Sequence, residues 1–245
     1  MAAGGRRQAL APEDLERLPT SALLAELQRR HEVLGAKPAR VALLGPPCVG
    51  KRTQAEALRR ALGVCRISGE DLLAPPSQDA AGAPPAATSA DDRAIAAVEA
   101  MLARPQCRRG FVLEGFPQTV AQAARLQEVL EQRGAPLDHA VFLEAPDAQL
   151  HERCRGRLLH VTSGRLYHDR LRPPDAPGVD DFTGEALLSS GYDRKELDRR
   201  LEDCVAKGVL LRAYYDREKL ARSMPDGAAA SVTSRLREMI AGSAS

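Results

Sequence analysis

The chain has no C-x-x-C cysteine pair, no apolar run long enough to span a bilayer and no excess of either charge, and each absence closes off a class of protein. Its five cysteines, Cys48, Cys65, Cys107, Cys154 and Cys204, are too scattered for a zinc ribbon, and the expectation they carry is reduced thiols in a cytosol-like compartment. With 35 basic against 33 acidic residues, the net charge of +2 supplies no field suited to nucleic acid. Residues 1–7 are too short, and too soon followed by Glu13, Asp14 and Glu16, to read as a transit or signal peptide, so a cytoplasmic location is the default expectation. At 245 residues, the length fits one domain, or a core with small inserted lobes.

What is present begins at residue 41. An apolar run, Val41 to Leu44, feeds Gly45-Pro46-Pro47-Cys48-Val49-Gly50-Lys51 and then a helical pattern. A strand, a Gly-rich turn and a helix N-terminus concentrate backbone donors and a positive dipole end where a phosphate can sit, with Lys51 near the outer phosphates. The spacing G-x-x-x-x-G-K is met, but Arg52 stands where Ser or Thr is usual and the hydroxyl arrives at Thr53. By itself the pattern fits either a nucleotide loop or a ligand-free strand-to-helix turn. Further strands are expected at 110–113, 140–143 and 220–223, alternating with helices, which gives an α/β fold with helices flanking a parallel sheet. Ligands of such sheets sit at the carboxyl ends of the strands. Leu15, Leu18, Leu23, Leu24 and Leu27 recur at helical spacing over 12–31, reading as a packing arm or a partner-binding helix. Residues 74–90 hold four prolines among small side chains and read as a loop or semi-extended linker. An acidic helix start follows at Asp91-Asp92.

Three downstream segments identify a resemblance. Gly110-Phe111-Val112-Leu113-Glu114-Gly115-Phe116-Pro117-Gln118 is similar to the second signature of adenylate kinases. The stretch 156–168, followed by Pro173-Pro174 and 178–185, resembles their long lid, and Arg200-Leu201 and Tyr214-Tyr215 keep the spacing that follows it. The resemblance spans about 37–240. It implies a P-loop three-layer fold: an N-terminal helical extension at 1–36 and a kinase-like domain at 37–245, with a reduced monophosphate-binding segment at 72–92 and a lid at 158–192.

On the donor side, the resemblance implies ATP contacts from Gly45, Cys48, Val49, Gly50, Lys51, Arg52, Thr53, Arg157, Leu166 and Tyr167. Glu114 would order the water shell of Mg2+, and no zinc is expected. Lys51, Arg153, Arg157 and Arg200 would stabilise the phosphoryl group in flight, with Arg153 and Arg157 four apart in a helical pattern begun by Asp147. Cys48 replaces a family glycine, either crowding the phosphates or pointing outward; Arg52 either contacts phosphate or points to solvent. In the lid, His160, Ser163, Asp180 and Thr183 fall where some relatives place zinc ligands, and Ser and Thr make this a hydrogen-bonded quartet instead.

The acceptor side departs from the family. Gly69, Asp71, Gly115, Phe116, Gln118, Gln122 and Arg200 take the monophosphate positions, with Gln122 placed to read an adenine edge. An arginine expected after Asp71-Leu72-Leu73 is Ala74, the one after Gly-Phe-Pro is Gln118, and a third is missing around 189–191. Gly69 replaces a threonine. A charge-assisted hydrogen bond contributes roughly 1.5–3 kcal/mol, so losing two or three weakens acceptor capture by orders of magnitude. Two functions follow as expectations: an ATP:nucleoside-monophosphate kinase with AMP as first acceptor, and a catalytically dead ATP-binding pseudoenzyme working through its N-terminal helix as a structural or regulatory subunit. Neither involves nucleic acid or membrane.

Overall fold

A computed structural model describes residues 19–35, 38–73 and 89–242; the start of the expected N-terminal helix and the Pro-rich stretch at 74–88 lie outside them. In chain order the elements are α1 (Thr20–Gly35), β1 (Ala39–Leu44), α2 (Lys51–Leu62), β2 (Cys65–Ser68), α3 (Gly69–Leu73), α4 (Ala90–Leu102), a 3₁₀ turn (Pro105–Cys107), β3 (Gly110–Glu114), α5 (Val120–Gln132), β4 (His139–Glu144), α6 (Asp147–Arg155), β5 (Arg157–His160), β6 (Arg165–His168), β7 (Leu188–Ser189), α7 (Arg194–Arg217), β8 (Ala221–Pro225) and α8 (Ala229–Gly242).

The main sheet has the order β2-β3-β1-β4-β8, every pairing parallel. The middles of its central strands are buried on both faces, which explains the apolar runs at 41–44, 111–113 and 140–143. One face packs Leu72, Ile95, Phe111, Phe116, Leu126 and Tyr215; the other packs Val41, Leu58, Val141, Leu150, Leu201 and Leu236. The helices start where chemistry predicts. Ser89 accepts from the Asp92 N–H, Thr119 from Gln122 and Asp193 from Glu196, each satisfying an orphan amide of a first turn. A second, antiparallel sheet, β6-β5-β7, forms the insertion between α6 and α7. Among the described residues no helix is long and apolar enough to cross a membrane. On α1, Leu24 and Leu27 are exposed.

Three sequence expectations are corrected. Edge strand β2 was not foreseen, because four residues with Arg66 inside them carry too little apolar periodicity. The helix begun by Asp147 stops at Arg155, Gly156 caps it, and Arg157 opens β5, so Arg153 and Arg157 do not share a helix face. Finally, Cys65 and Cys107 form a disulfide and are not free thiols. Cys65 begins β2 and Cys107 ends the turn before β3; adjacent parallel strands bring together two residues 42 apart in sequence, a proximity that spacing alone does not reveal.

Candidate active site

The carboxyl ends of β1, β3, β4 and β8 open into a cleft of about 1150 Å³, walled by Gly45, residues 47–53, Glu114, Gln118 and α7 and covered by the lid sheet. Residues 45–50 wrap the mouth of β1, and α2 starts at Lys51 behind Gly50, whose φ of 102° is open only to a residue lacking Cβ. The Lys51 ammonium donates to the carbonyls of Gly45 and Pro46 at 2.8 and 2.7 Å. Burial lowers its pKa, opposed by nearby groups that include Glu114 and Glu70. Cys48 has a left-handed backbone, with φ 61°, lines the cleft, and its half-buried thiol lies against Cys154. Burial, reinforced by Cys154, pushes that thiol up to about 12, so it stays protonated. Val49 is buried and Thr53 exposed, and both line the cleft.

The arginines divide by what already holds them. Arg157 lines the cleft, and its buried Nε has no hydrogen-bond partner among the described residues. A buried guanidinium N–H without an acceptor is the arrangement an incoming anion completes. Arg153 Nη2 donates to both oxygens of Asp226 at 2.8 Å, and Nη1 reaches the Val49 carbonyl at 3.4 Å. It therefore ties α6 to the segment after β8 and to the Gly-rich loop. Arg200 lies over the Tyr192 ring, 4.2 Å from its centroid, and donates to Glu196 at 2.6 Å. Arg52 neither points to solvent nor waits for phosphate alone: its Nη2 donates to the Gly164 carbonyl in the lid at 2.8 Å.

At the end of β3, Glu114 Oε2 accepts from Arg66 Nε at 2.7 Å, while Oε1 accepts no hydrogen bond from the described residues. Beyond it Gly115 donates to the Leu43 carbonyl at 2.9 Å, and the Phe116 side chain is wholly buried in the core, leaving only its backbone for a ligand. Gln118 lines the cleft, and its amide donates to the Gly115 carbonyl at 3.3 Å. Gln122 is buried and engaged at both ends: Oε1 accepts from the Gln118 N–H, and Nε2 donates to Asp91, each at 2.7 Å. Asp71 lies in α3, whose first residue Gly69 approaches the Gly115 backbone so closely that a Cβ would collide with its carbonyl. A threonine at that position has no room here.

In the lid, the four side chains singled out from sequence meet in one network. His160 shares hydrogen bonds with Ser163 at 2.6 Å and Thr183 at 3.3 Å, and Thr183 donates to Asp180 at 3.0 Å. Sequence reasoning missed its larger members. Asp180 accepts from the Arg165 guanidinium through both oxygens and from the Tyr167 hydroxyl at 2.9 Å, and Glu185 pairs with the second His160 nitrogen. Arg165 in turn holds the Asp180 carboxyl far below the usual carboxylate range. Tyr167 lines the cleft beside Leu166, with its hydroxyl turned into this network. Two signals were available: a carboxylate flanked by Thr183 and Gly184 in a Gly-rich turn, and Asp226 just past the last parallel strand.

A Gly-rich loop at the central strand of a parallel sheet, a half-buried lysine, cationic side chains from several elements and an inserted cover define a P-loop nucleotide-binding enzyme. Comparison with known sequences narrows the class. A family model described as adenylate kinase matches residues 43–236. The chain is 36% identical over 208 residues to adenylate kinase 4 of Arabidopsis thaliana, covering 80% of this chain and 81% of that protein. It is 36% identical over 204 residues to adenylate kinase 4 of Oryza sativa subsp. japonica, covering 78% and 83%. Against an adenylate kinase of Vanderwaltozyma polyspora it is 39% identical over 168 residues, covering 64% and 74%. The chain belongs to the adenylate kinase family, and the fold and family together make it a kinase-type enzyme of nucleotide phosphoryl transfer.

Proposed function

We propose that the protein transfers the terminal phosphoryl group of magnesium-bound ATP to a nucleoside monophosphate, AMP first, with a donor site in working order and weak capture of the acceptor. The observation that carries this reading is the unequal occupation of the two halves of one cleft. On the donor half, Lys51 and Arg157 line the cleft beside the Gly-rich loop, and among the described residues the buried Nε of Arg157 has no acceptor. On the acceptor half, Gln118 replaces a cation, Gln122 has both ends of its amide engaged, and Gly69 lies tight against Gly115.

The acceptor's phosphate oxygen attacks the terminal phosphorus in line, the bond to the bridging oxygen of the leaving diphosphate breaks, and charge spreads over the transferred group's three equatorial oxygens. Lys51 and Arg157 neutralise that charge from the donor side, and Arg200 bridges to the acceptor once it exchanges Glu196 for phosphate. Bound magnesium supplies further neutralisation of the phosphate oxygens. Among the described residues nothing donates to Oε1 of Glu114, which would suit it to a water of that ion's shell, with Arg66 fixing the other oxygen. The lid network holds Leu166 and Tyr167 over the donor and excludes water.

The test is ADP formation from magnesium-ATP with a panel of nucleoside monophosphates raised into the millimolar range, with Lys51→Ala as control. Turnover with AMP that disappears in the control supports the reading. Absence of turnover at every acceptor, with ATP still raising the melting temperature, replaces it with an ATP-binding pseudoenzyme.

A further inference from the structure

Arg52 joins the start of α2 to the lid through one side-chain hydrogen bond. It is the second residue of α2, directly after Lys51, yet its guanidinium spans to the far turn of the lid, between β5 and β6. The bond to the Gly164 carbonyl is 2.8 Å long. Gly164 has φ 69°, the left-handed conformation that sets this turn, and a Cβ built there would lie 3.4 Å from Arg52 Nη2, so the two groups are in close contact. Arg52 also lines the cleft, and among the described residues its remaining N–H groups have no protein acceptor. One side chain therefore offers donors in two directions, to the lid backbone and to whatever fills the cleft beside Lys51.

We propose that Arg52 is a positioning residue that latches the lid to the phosphate loop and couples lid closure to phosphate occupancy. The inference rests on the reading that the donor nucleotide occupies this cleft. With the cleft free of nucleotide, the Gly164 bond biases the lid toward the covered arrangement. When triphosphate oxygens arrive, the unused N–H groups of Arg52 engage them, the guanidinium is held from both sides, and opening the lid requires breaking a charge-assisted hydrogen bond. Release of product then depends on that opening step, as is common where a cover must lift before a nucleotide leaves. Among the lid contacts described, this is the one a single substitution on α2 removes without touching the Asp180 network.

Two measurements test the latch on full-length protein. The first is amide hydrogen exchange over 161–168 without nucleotide, for wild type, Arg52→Gln and Arg52→Lys. Glutamine keeps much of the aliphatic stem but is too short to reach Gly164; lysine keeps the reach and a charged donor group. Exchange in Arg52→Gln is expected to be about fivefold to tenfold faster at these amides, unchanged over β1 and β4, and largely restored in Arg52→Lys. The second is stopped-flow dissociation of a fluorescent ATP analogue, expected to be about tenfold faster in Arg52→Gln. Unchanged exchange over 161–168 in the nucleotide-free variant overturns the proposal, whatever happens to ATP, because a residue that only met phosphate would leave the empty lid unaffected. Altered exchange in a protein that makes no ADP with any monophosphate keeps the latch and removes the kinase reading instead.

Discussion

Arg66 and Glu114, neighbours across β2 and β3, join at 2.7 Å and leave the other carboxylate oxygen without a hydrogen bond from the described residues. The cation fixes the longer glutamate side chain but also repels a second cation brought to the same carboxylate. Arg66→Met is therefore expected to lower the half-saturating magnesium concentration by roughly threefold to tenfold. It should also lower stability by about 1 kcal/mol, the usual scale of a partly exposed pair. Initial rates over a magnesium titration check this, and an unchanged or weakened magnesium response contradicts it.

Asp180 is buried in the lid and collects bonds from Arg165, Tyr167 and Thr183. Asp180→Asn keeps the shape but removes the charge on which Arg165 depends, and it places an amide donor opposite other donors. The half-saturating ATP concentration should rise about tenfold, while that of the monophosphate moves little. Steady-state kinetics with each substrate varied in turn separate the two.

The Cys65–Cys107 disulfide closes a loop of residues separated by 42 positions. By chain entropy such a crosslink contributes about 4 kcal/mol. Urea unfolding of the Cys65→Ser/Cys107→Ser double variant should show a loss of that order, and reductant should shift the wild type but not the variant.

His139 is buried at the start of β4, both ring nitrogens lack hydrogen-bond partners among the described residues, and burial followed by the charge of Arg222 lowers its pKa, with Asp138 opposing. Because the folded value lies below the ordinary one, the unfolded chain binds the proton first as pH falls. The contribution is intact above pH 7 and is lost from about 6.5 down to the depressed folded value, with a slope of at most about 1.4 kcal/mol per pH unit. His139→Leu should flatten the stability curve between about pH 7 and pH 5, read by chemical unfolding at a series of pH values.

The phosphate loop was legible because a strand, a glycine turn and a helix start follow one another locally between Val41 and Gln54, and the resulting geometry is written in adjacent residues. The central strands were legible for the same reason, as continuous apolar runs. What escaped depends on partners distant in sequence. Arg66 meets Glu114 across 48 residues, Arg153 meets Asp226 across 73, and Arg52 meets the lid across 112. In each case a guanidinium reaches several ångströms from its own element, so its role is set by topology. Arg157 shows the opposite error, a helix carried by pattern past the glycine that caps it and two residues beyond its last residue, Arg155.

The measurement that bears most directly on the account is the AMP dependence of ADP formation at saturating magnesium-ATP, for wild type and Gln118→Arg. The prediction is a wild-type half-saturation in roughly the millimolar range that falls at least about tenfold when the guanidinium is supplied, with the ATP dependence unchanged. A wild type already saturated at micromolar AMP, or a Gln118→Arg variant that gains nothing, contradicts the claim that the donor half is in working order and the acceptor half is weakened.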